Sequence, residues 1–287
     1  MPPEPPVATP RSLAEAYAVL AEAPHRPIAG GTDVMVQLTG EIGPVPDRMV
    51  DLWRLDELRG IALDGDALVL GALTTYTDIR RSPICREHAP ALVEAAATIG
   101  AAQIQNRGTI GGNAANASPA GDTLPVLLAC DASFVLGSGR GERTVDAPDF
   151  WVAYRKTALA PDELLLRVRI PLVAGREVRF RKIGTRRAQA ISKVVLALAW
   201  REAADAVAGP WSDVRLALGS VADRPIRARA TEGVLDGAPP TEATADLAAT
   251  SLAAELQPID DVRSTADYRR TVAARVLHRL IRERGGW

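Results

Sequence analysis

Two short glycine-rich stretches carry most of the residues in this chain that could do chemistry. The first is Ile28-Ala29-Gly30-Gly31-Thr32-Asp33-Val34, where a strand pattern gives way to a helix pattern. Paired glycines let a backbone take positive φ and approach a ligand closely. Successive N–H groups at a helix start form a concave anion site, suited to a pyrophosphate. Taken alone, a tight turn capped by Thr32 or Asp33 explains the stretch better. The second runs from Thr109 through Ile110, Gly111, Gly112, Asn113 and Asn116 to Ser118 and Asp122, fourteen residues with two asparagines and one charge. Such a segment buries little apolar surface. It suits wrapping a polar ligand, with Asp122 able to accept from ribose-type hydroxyls, better than it suits a solvated loop in which Asp122 merely caps the next helix.

A third run, Gly137-Ser138-Gly139-Arg140-Gly141, lacks the G-x-G-x-x-G fingerprint, because position 142 is Glu and a strand follows; it reads as a hairpin turn. Two diglycines about eighty residues apart therefore suggest one dinucleotide gripped between two lobes in a non-Rossmann arrangement. Lys182 could bring a cation to that ligand, although a basic strand face is the commoner explanation. Arg186 and Arg187 read as surface or partner contacts.

Composition narrows the chemistry. The 287 residues hold 34 Lys and Arg against 35 Asp and Glu, a net charge of −1 that argues against broad nucleic-acid binding. No apolar run approaches the ~20 residues of a membrane span, and the opening MPPEPPVATP has no signal-peptide character. Two cysteines, Cys85 and Cys130, cannot supply an iron–sulfur cluster, and three scattered histidines, His25, His88 and His278, suggest structural roles and no zinc site. There is no serine-hydrolase elbow and no Walker-type loop. Few cysteines and no export signal place the chain in the cytoplasm. Both thiols read as unpaired, Cys130 as buried. The chemistry then belongs to a bound organic cofactor.

The elements that must position these stretches form an α+β chain. Five prolines make the first ten residues a loose arm, and Ser12 with Glu15 forms a capping box opening the first helix. Residues 25–29, 48–52 and 67–73 read as strands, and 32–38, 75–81, 90–99 and 122–130 as helices. Residues 132–136 and 143–145 read as hairpin arms, and 164–170 as a further strand. Beyond a boundary near 173–176, residues 177–183, 194–201 and 213–220 predict a three-stranded antiparallel meander. Helices follow over 227–235, 242–256 and 268–284, the last with Tyr268, Val272, Val276, Leu280 and Ile281 on one face.

With these residues assembled, the chain resembles the FAD-binding medium subunit of molybdenum hydroxylases, the xanthine dehydrogenase and carbon monoxide dehydrogenase family. The resemblance rests on Ala29-Gly30-Gly31-Thr32-Asp33 and Thr109-Ile110-Gly111-Gly112-Asn113, then Ala117-Ser118-Pro119, Asp122, Phe150-Trp151, Tyr154-Arg155, the 163–171 strand and residues 182–194. It covers nearly the whole chain in the family's order. Trp151 and Ala153 stand where many relatives have Phe and Gly. The family implies a two-lobed PCMH-type FAD-binding domain over residues 1–173, with lobes of about 1–55 and 56–173, and a C-terminal domain over 174–287. It implies that Pro27, Ile28, Ala29, Gly30, Gly31, Thr32, Asp33, Val34, Ile104, Thr109, Ile110, Gly111, Gly112, Asn113 and Asn116 hold non-covalent FAD. Asp122 would meet a polar edge of FAD, with Leu165 and Lys182 near the isoalloxazine. A Gly111→Val exchange is then expected to evict FAD and leave the fold intact.

The same resemblance implies an electron relay. A large molybdenum–pterin subunit would hydroxylate substrate, a small subunit with two [2Fe–2S] clusters would pass electrons on, and FAD here would deliver them to an external acceptor, all within a dimer of heterotrimers. No acid or base of this chain would be essential and no metal would bind it. A self-contained PCMH-type flavin oxidase or reductase, and a non-catalytic nucleotide-binding scaffold, are the alternatives.

Overall fold

A computed structural model of the chain describes residues 4–40, 42–186, 189–202 and 208–287, so Arg187 lies outside the described residues. The first helix, α1 (Leu13–Glu22), begins as expected: the Ser12 hydroxyl accepts the Glu15 amide at 3.2 Å. The Glu15 carboxylate turns back to the Arg11 amide, at 2.8 Å, not to that of Ser12. The arm before it is not loose throughout. Val7–Ala8 forms β1 and pairs in parallel with β3 (Met49–Asp51), whose other side takes β2 (Arg26–Ile28), also in parallel. Helix α2 (Val34–Thr39) follows β2 directly across the first glycine pair.

The middle of the chain builds a five-stranded antiparallel sheet. Strand β4 (Ile61–Asp64), not expected from its exposed pattern, forms a hairpin with β5 (Ala67–Gly71). Six helices intervene: α3 (Tyr76–Arg81), α4 (Pro83–His88), α5 (Pro90–Ala97), α6 (Ala102–Gln105), α7 (Ile110–Asn116) and α8 (Leu124–Ala129). Strands β6 (Ser133–Ser138) and β7 (Gly141–Asp146) are the predicted hairpin, turning at Gly139 and Arg140. Helix α9 (Ala147–Phe150) leads to a small hairpin of β8 (Trp151–Ala153) and β9 (Lys156–Thr157). The last strand, β10 (Leu164–Pro171), enters the middle of the sheet between β5 and β6. Phe134, Phe150 and Trp151 cluster beneath it with centroids 4.1–5.6 Å apart, and the Trp151 indole donates to the Ala114 carbonyl at 3.0 Å.

The final sheet has four strands, not three: β11 (Arg176–Ile183), β12 (Val194–Arg201), β13 (Ser212–Gly219) and the two-residue β14 (Ile226–Arg227), all antiparallel. β12 is buried on both faces, because side chains alternate along a strand. Val195, Ala197 and Ala199 face α8 and the middle sheet's core, whereas Val194, Leu196, Leu198 and Trp200 face α10 (Arg229–Leu235), α11 (Glu242–Glu255) and α12 (Ala266–Gly285). The α12 face is shifted from the expected one: Ala273, Leu277, Leu280 and Ile281 are buried with Arg269, Val272 and Val276 lie at the margin, and Tyr268 is exposed. Apolarity alone does not find Arg269, which is buried because its guanidinium serves the carbonyls of Ser220 (2.7 Å) and Lys193 (3.2 Å) and the carboxylate of Asp261 (2.7 Å).

Ion pairs close this assembly. Asp131, at the end of α8, pairs with Arg176, Arg215 and Arg227, each from a strand of the last sheet. At the far end the stacked indoles of Trp200 and Trp211 both donate to Glu202, at 3.1 and 2.8 Å, and Arg284 of α12 pairs with the same carboxylate. The Arg284 hydrogen bond, helped by the two indoles, outweighs burial and holds Glu202 below the usual glutamate range. A depressed folded pKa gives stability that is present above about pH 4.3, the unfolded value, and is lost as pH falls through the folded one. Glu202→Gln should therefore cost about 1–2 kcal/mol at neutral pH, with the gap narrowing in acid. Urea unfolding of both proteins from pH 7 to pH 3 measures this; a gap independent of pH would count against it.

Candidate functional site

The two glycine stretches meet through backbone. A Cβ on Gly30 would fall 1.7 Å from the carbonyl oxygen of Arg107 and 3.1 Å from the Gly108 nitrogen, so only glycine lets the first stretch lie against the start of the second. Above this contact the Arg107 guanidinium sits 3.8 Å from the Trp53 ring, whose other cation, Arg59, lies at 4.5 Å. Between the stretches opens a cleft of about 380 Å³, within the range of small-molecule sites.

Pro27, Ala29, Gly30, Gly31, Thr32, Asp33, Val34, Thr109, Gly111, Gly112, Asn113, Asn116 and Leu165 all line this cleft. Their contributions differ. Gly31 has φ +76°, and among the described residues the backbone amides of Gly30, Gly31, Thr32, Asp33 and Val34 have no hydrogen-bond acceptor within the chain. Five successive free amides form a ready anion nest. Asp33 precedes α2 without capping it. The second stretch is organised otherwise. It is helical from Ile110, and its first amides are occupied: Ile110 by the Thr74 carbonyl (3.0 Å), Gly111 by that of Ala72 (2.9 Å) and Gly112 by the Thr109 hydroxyl (3.0 Å). Of the two diglycines, the first alone has free backbone amides among the described residues. Gly111 is required for packing: a Cβ there would meet Ala72 Cβ at 2.6 Å and its carbonyl oxygen at 2.7 Å, so Gly111→Val is not a fold-neutral exchange.

Five expected residues stand behind the cleft. Ile28 packs under Gly31, Ile110 is fully buried, and the Ile104 carbonyl accepts the Gly108 amide at 2.6 Å. Asp122 and Lys182 form a buried ion pair at 2.5 Å. The other Asp122 oxygen accepts from Ser192, Thr98 adds a bond at 3.3 Å, and Lys182 also donates to the Thr98 carbonyl at 3.1 Å. Burial raises the Asp122 carboxyl above the ordinary aspartate range against the pull of these donors. The expected ribose acceptor is thus engaged inside the protein.

Sequence reasoning missed several lining residues. His25, Arg26, Tyr76, Arg155 and Thr157 line the cleft, over a floor that includes Leu52, Leu58, Leu73 and Leu164. Arg155, in the β8–β9 turn at φ +52°, reaches across to Asn116 at 3.2 Å. Desolvation holds the Asp33 carboxyl above its usual range despite the nearby Arg155, Arg26 and Asn116. No spacing rule marks these residues. His25 also has the structural bond foreseen for it, from its ring to the Ala23 carbonyl at 2.8 Å. Cys85 and Cys130 are both free and buried, and burial pushes the Cys130 thiol up to about 12.

This architecture matches a known pattern. Residues 4–173 fit the family described as FAD binding domain in molybdopterin dehydrogenase, and residues 179–284 fit the CO dehydrogenase flavoprotein C-terminal domain. The chain belongs to this family. It is an FAD subunit of the molybdenum hydroxylases, and so a component of an oxidoreductase. The carbon monoxide dehydrogenase medium chain of Hydrogenophaga pseudoflava is 32% identical over 95% of this chain and 94% of its own length. The putative xanthine dehydrogenase FAD-binding subunit of Escherichia coli K12 is 33% identical over 96% and 95%. Among solved structures, carbon monoxide dehydrogenase from Hydrogenophaga pseudoflava superposes with a TM-score of 0.91 over 97% of this chain and 96% of that one, at 32% identity. Quinoline 2-oxidoreductase from Pseudomonas putida 86 also gives 0.91, at 29% identity, over 99% and 98%.

For a member of this family the cleft fits the cofactor on its own chemistry: free amides for a pyrophosphate and a leucine floor for a flat ring. Gly30→Ala should separate the two stretches, lower the melting temperature and abolish FAD uptake, since overpacking against backbone costs roughly 1–3 kcal/mol. Gly139→Ala, where a Cβ meets nothing within 4 Å, is the control. Thermal melts and FAD titration of both variants check this; normal FAD binding by Gly30→Ala would refute the contact's role.

Proposed function

We propose that this chain is the electron-exit subunit of its complex. It takes electrons from the [2Fe–2S] clusters of a small partner subunit, after a large molybdenum–pterin subunit has oxidised the substrate, and passes them to an external acceptor. The observation that carries the reading is the run of free amides from Gly30 to Val34 facing a cleft with an apolar floor. Bound FAD supplies a centre that accepts electrons singly and releases them in pairs.

In this reading the amides of Gly30 to Val34 hold the pyrophosphate without a proton transfer. Leu58, Leu73, Leu164 and Leu165 exclude water from the ring. Arg155, tied to Asn116 and facing Asp33, closes the second stretch over the first. Asp122 and Lys182 fix the rear wall as a neutral unit. Binding is non-covalent: neither stretch contains His or Cys, and the His25 ring is held by the Ala23 carbonyl. The FAD-binding domain takes residues 1–173, in lobes of about 1–55 and 56–173, and the rest forms the C-terminal domain. The complex is a cytoplasmic dimer of heterotrimers. No helix among the described residues is long and apolar enough to cross a membrane.

Acid precipitation of the yellow holoprotein should release all its FAD into the supernatant. In the purified complex stripped of FAD, substrate should still bleach the iron–sulfur absorption while reduction of the external acceptor stops; restored FAD should restore it. Acceptor reduction at an undiminished rate without FAD would overturn the proposed route.

A further inference from the structure

We infer that the hydroxyl of Tyr76 donates a hydrogen bond to an acceptor atom of the FAD held in the cleft, an inference that rests on the cleft being the FAD site. Tyr76 is the first residue of α3 and is only 3% exposed, yet it lines the cleft. Its position is fixed from three sides. The Thr75–Asp78 capping box sets the start of the helix, the Tyr76 amide donates to the Gly108 carbonyl at 3.1 Å, and the ring packs so closely on Gly108 that a Cβ there would lie 2.8 Å from Cε2. Gly108 is also the residue beside the Gly30 contact, so the same backbone that joins the two stretches aims this ring.

The hydroxyl is left over. Buried tyrosines normally find a partner for the O–H, but among the described residues this one has none. Nor is it sealed away: the sealed, unpartnered side-chain atoms among the described residues are Nε of Arg176 and Nε of Arg269. It therefore opens where Tyr76 has an open side, into the cleft. Its chemistry there is one-sided. Burial and the carboxylates of Asp33 and Asp122 hold the phenol well above the ordinary tyrosine range, so it stays protonated. Asp122 and Lys182 already satisfy each other, so neither engages the Tyr76 hydroxyl. The matching ligand atom is an acceptor: a phosphate oxygen, a carbonyl oxygen or an unprotonated ring nitrogen, all of which FAD carries.

Tyr76→Phe removes the hydroxyl alone and tests this. Titrating apoprotein with FAD by flavin fluorescence, the variant should bind roughly 2- to 12-fold more weakly, the equivalent of one neutral hydrogen bond, with the melting temperature of the apoprotein unchanged. Should the apoprotein also lose stability, 4-aminophenylalanine at position 76, which keeps a donor, must restore the affinity. Equal affinity of wild type and Tyr76→Phe, or no rescue by the amino analogue, overturns the inference. Failure of the wild-type apoprotein to bind FAD at all would instead overturn the cofactor reading, so the two failures are distinguishable.

Discussion

The approach of Gly30 to the Arg107 carbonyl is the constraint on which the site depends. At 1.7 Å from a would-be Cβ, the contact admits no side chain, and it joins an edge of the small parallel sheet to the middle of the chain. Everything that lines the cleft is referred to it. Gly31 turns at positive φ immediately after it, Tyr76 is seated by the next glycine, Gly108, and Thr109 starts the helix that forms the opposite wall. Trp53 between Arg107 and Arg59 fastens the same junction from outside.

The opposite wall is fixed by the antiparallel sheet. The Ala72 amide donates to Leu166 of β10, and the Ala72 carbonyl accepts from Gly111, so α7 hangs from the strand that enters the sheet last. Behind α8, β12 serves two cores at once, and the Asp131 cluster of arginines joins the middle of the chain to the final sheet. The cleft is thus bordered by segments far apart in sequence. Each is held by backbone bonds, which suits a site that must keep its shape rather than perform proton chemistry.

Much of this was legible from residue pattern. The Ser12 start of α1, the β6–β7 turn at Gly139 and Arg140, and the apolar run of β12 are local signals, and the structure contains each. Both glycine stretches do meet at one cleft. What pattern could not reveal is where backbone amides go. Gly111 and Gly112 look like a phosphate loop, yet their amides are taken by Ala72 and Thr109, partners that are visible only after folding. Asp122 and Lys182 are sixty residues apart and read as two separate ligand contacts, whereas they pair with each other. Tyr76 falls in a segment that reads only as a helix, and nothing in its neighbours tells that its hydroxyl is left without a partner among the described residues. Arg269 escapes because buried charge follows available carbonyls, which hydrophobic periodicity does not record.

Backbone hydrogen exchange, followed residue by residue in apoprotein and after addition of FAD, tests the central claim most directly. The account predicts that the amides of Gly30, Gly31, Thr32, Asp33 and Val34 exchange fast in apoprotein and become protected by FAD, while those of Ile110, Gly111 and Gly112 are already protected and change little. Protection arising at residues 110–112 with none at 30–34 would contradict it.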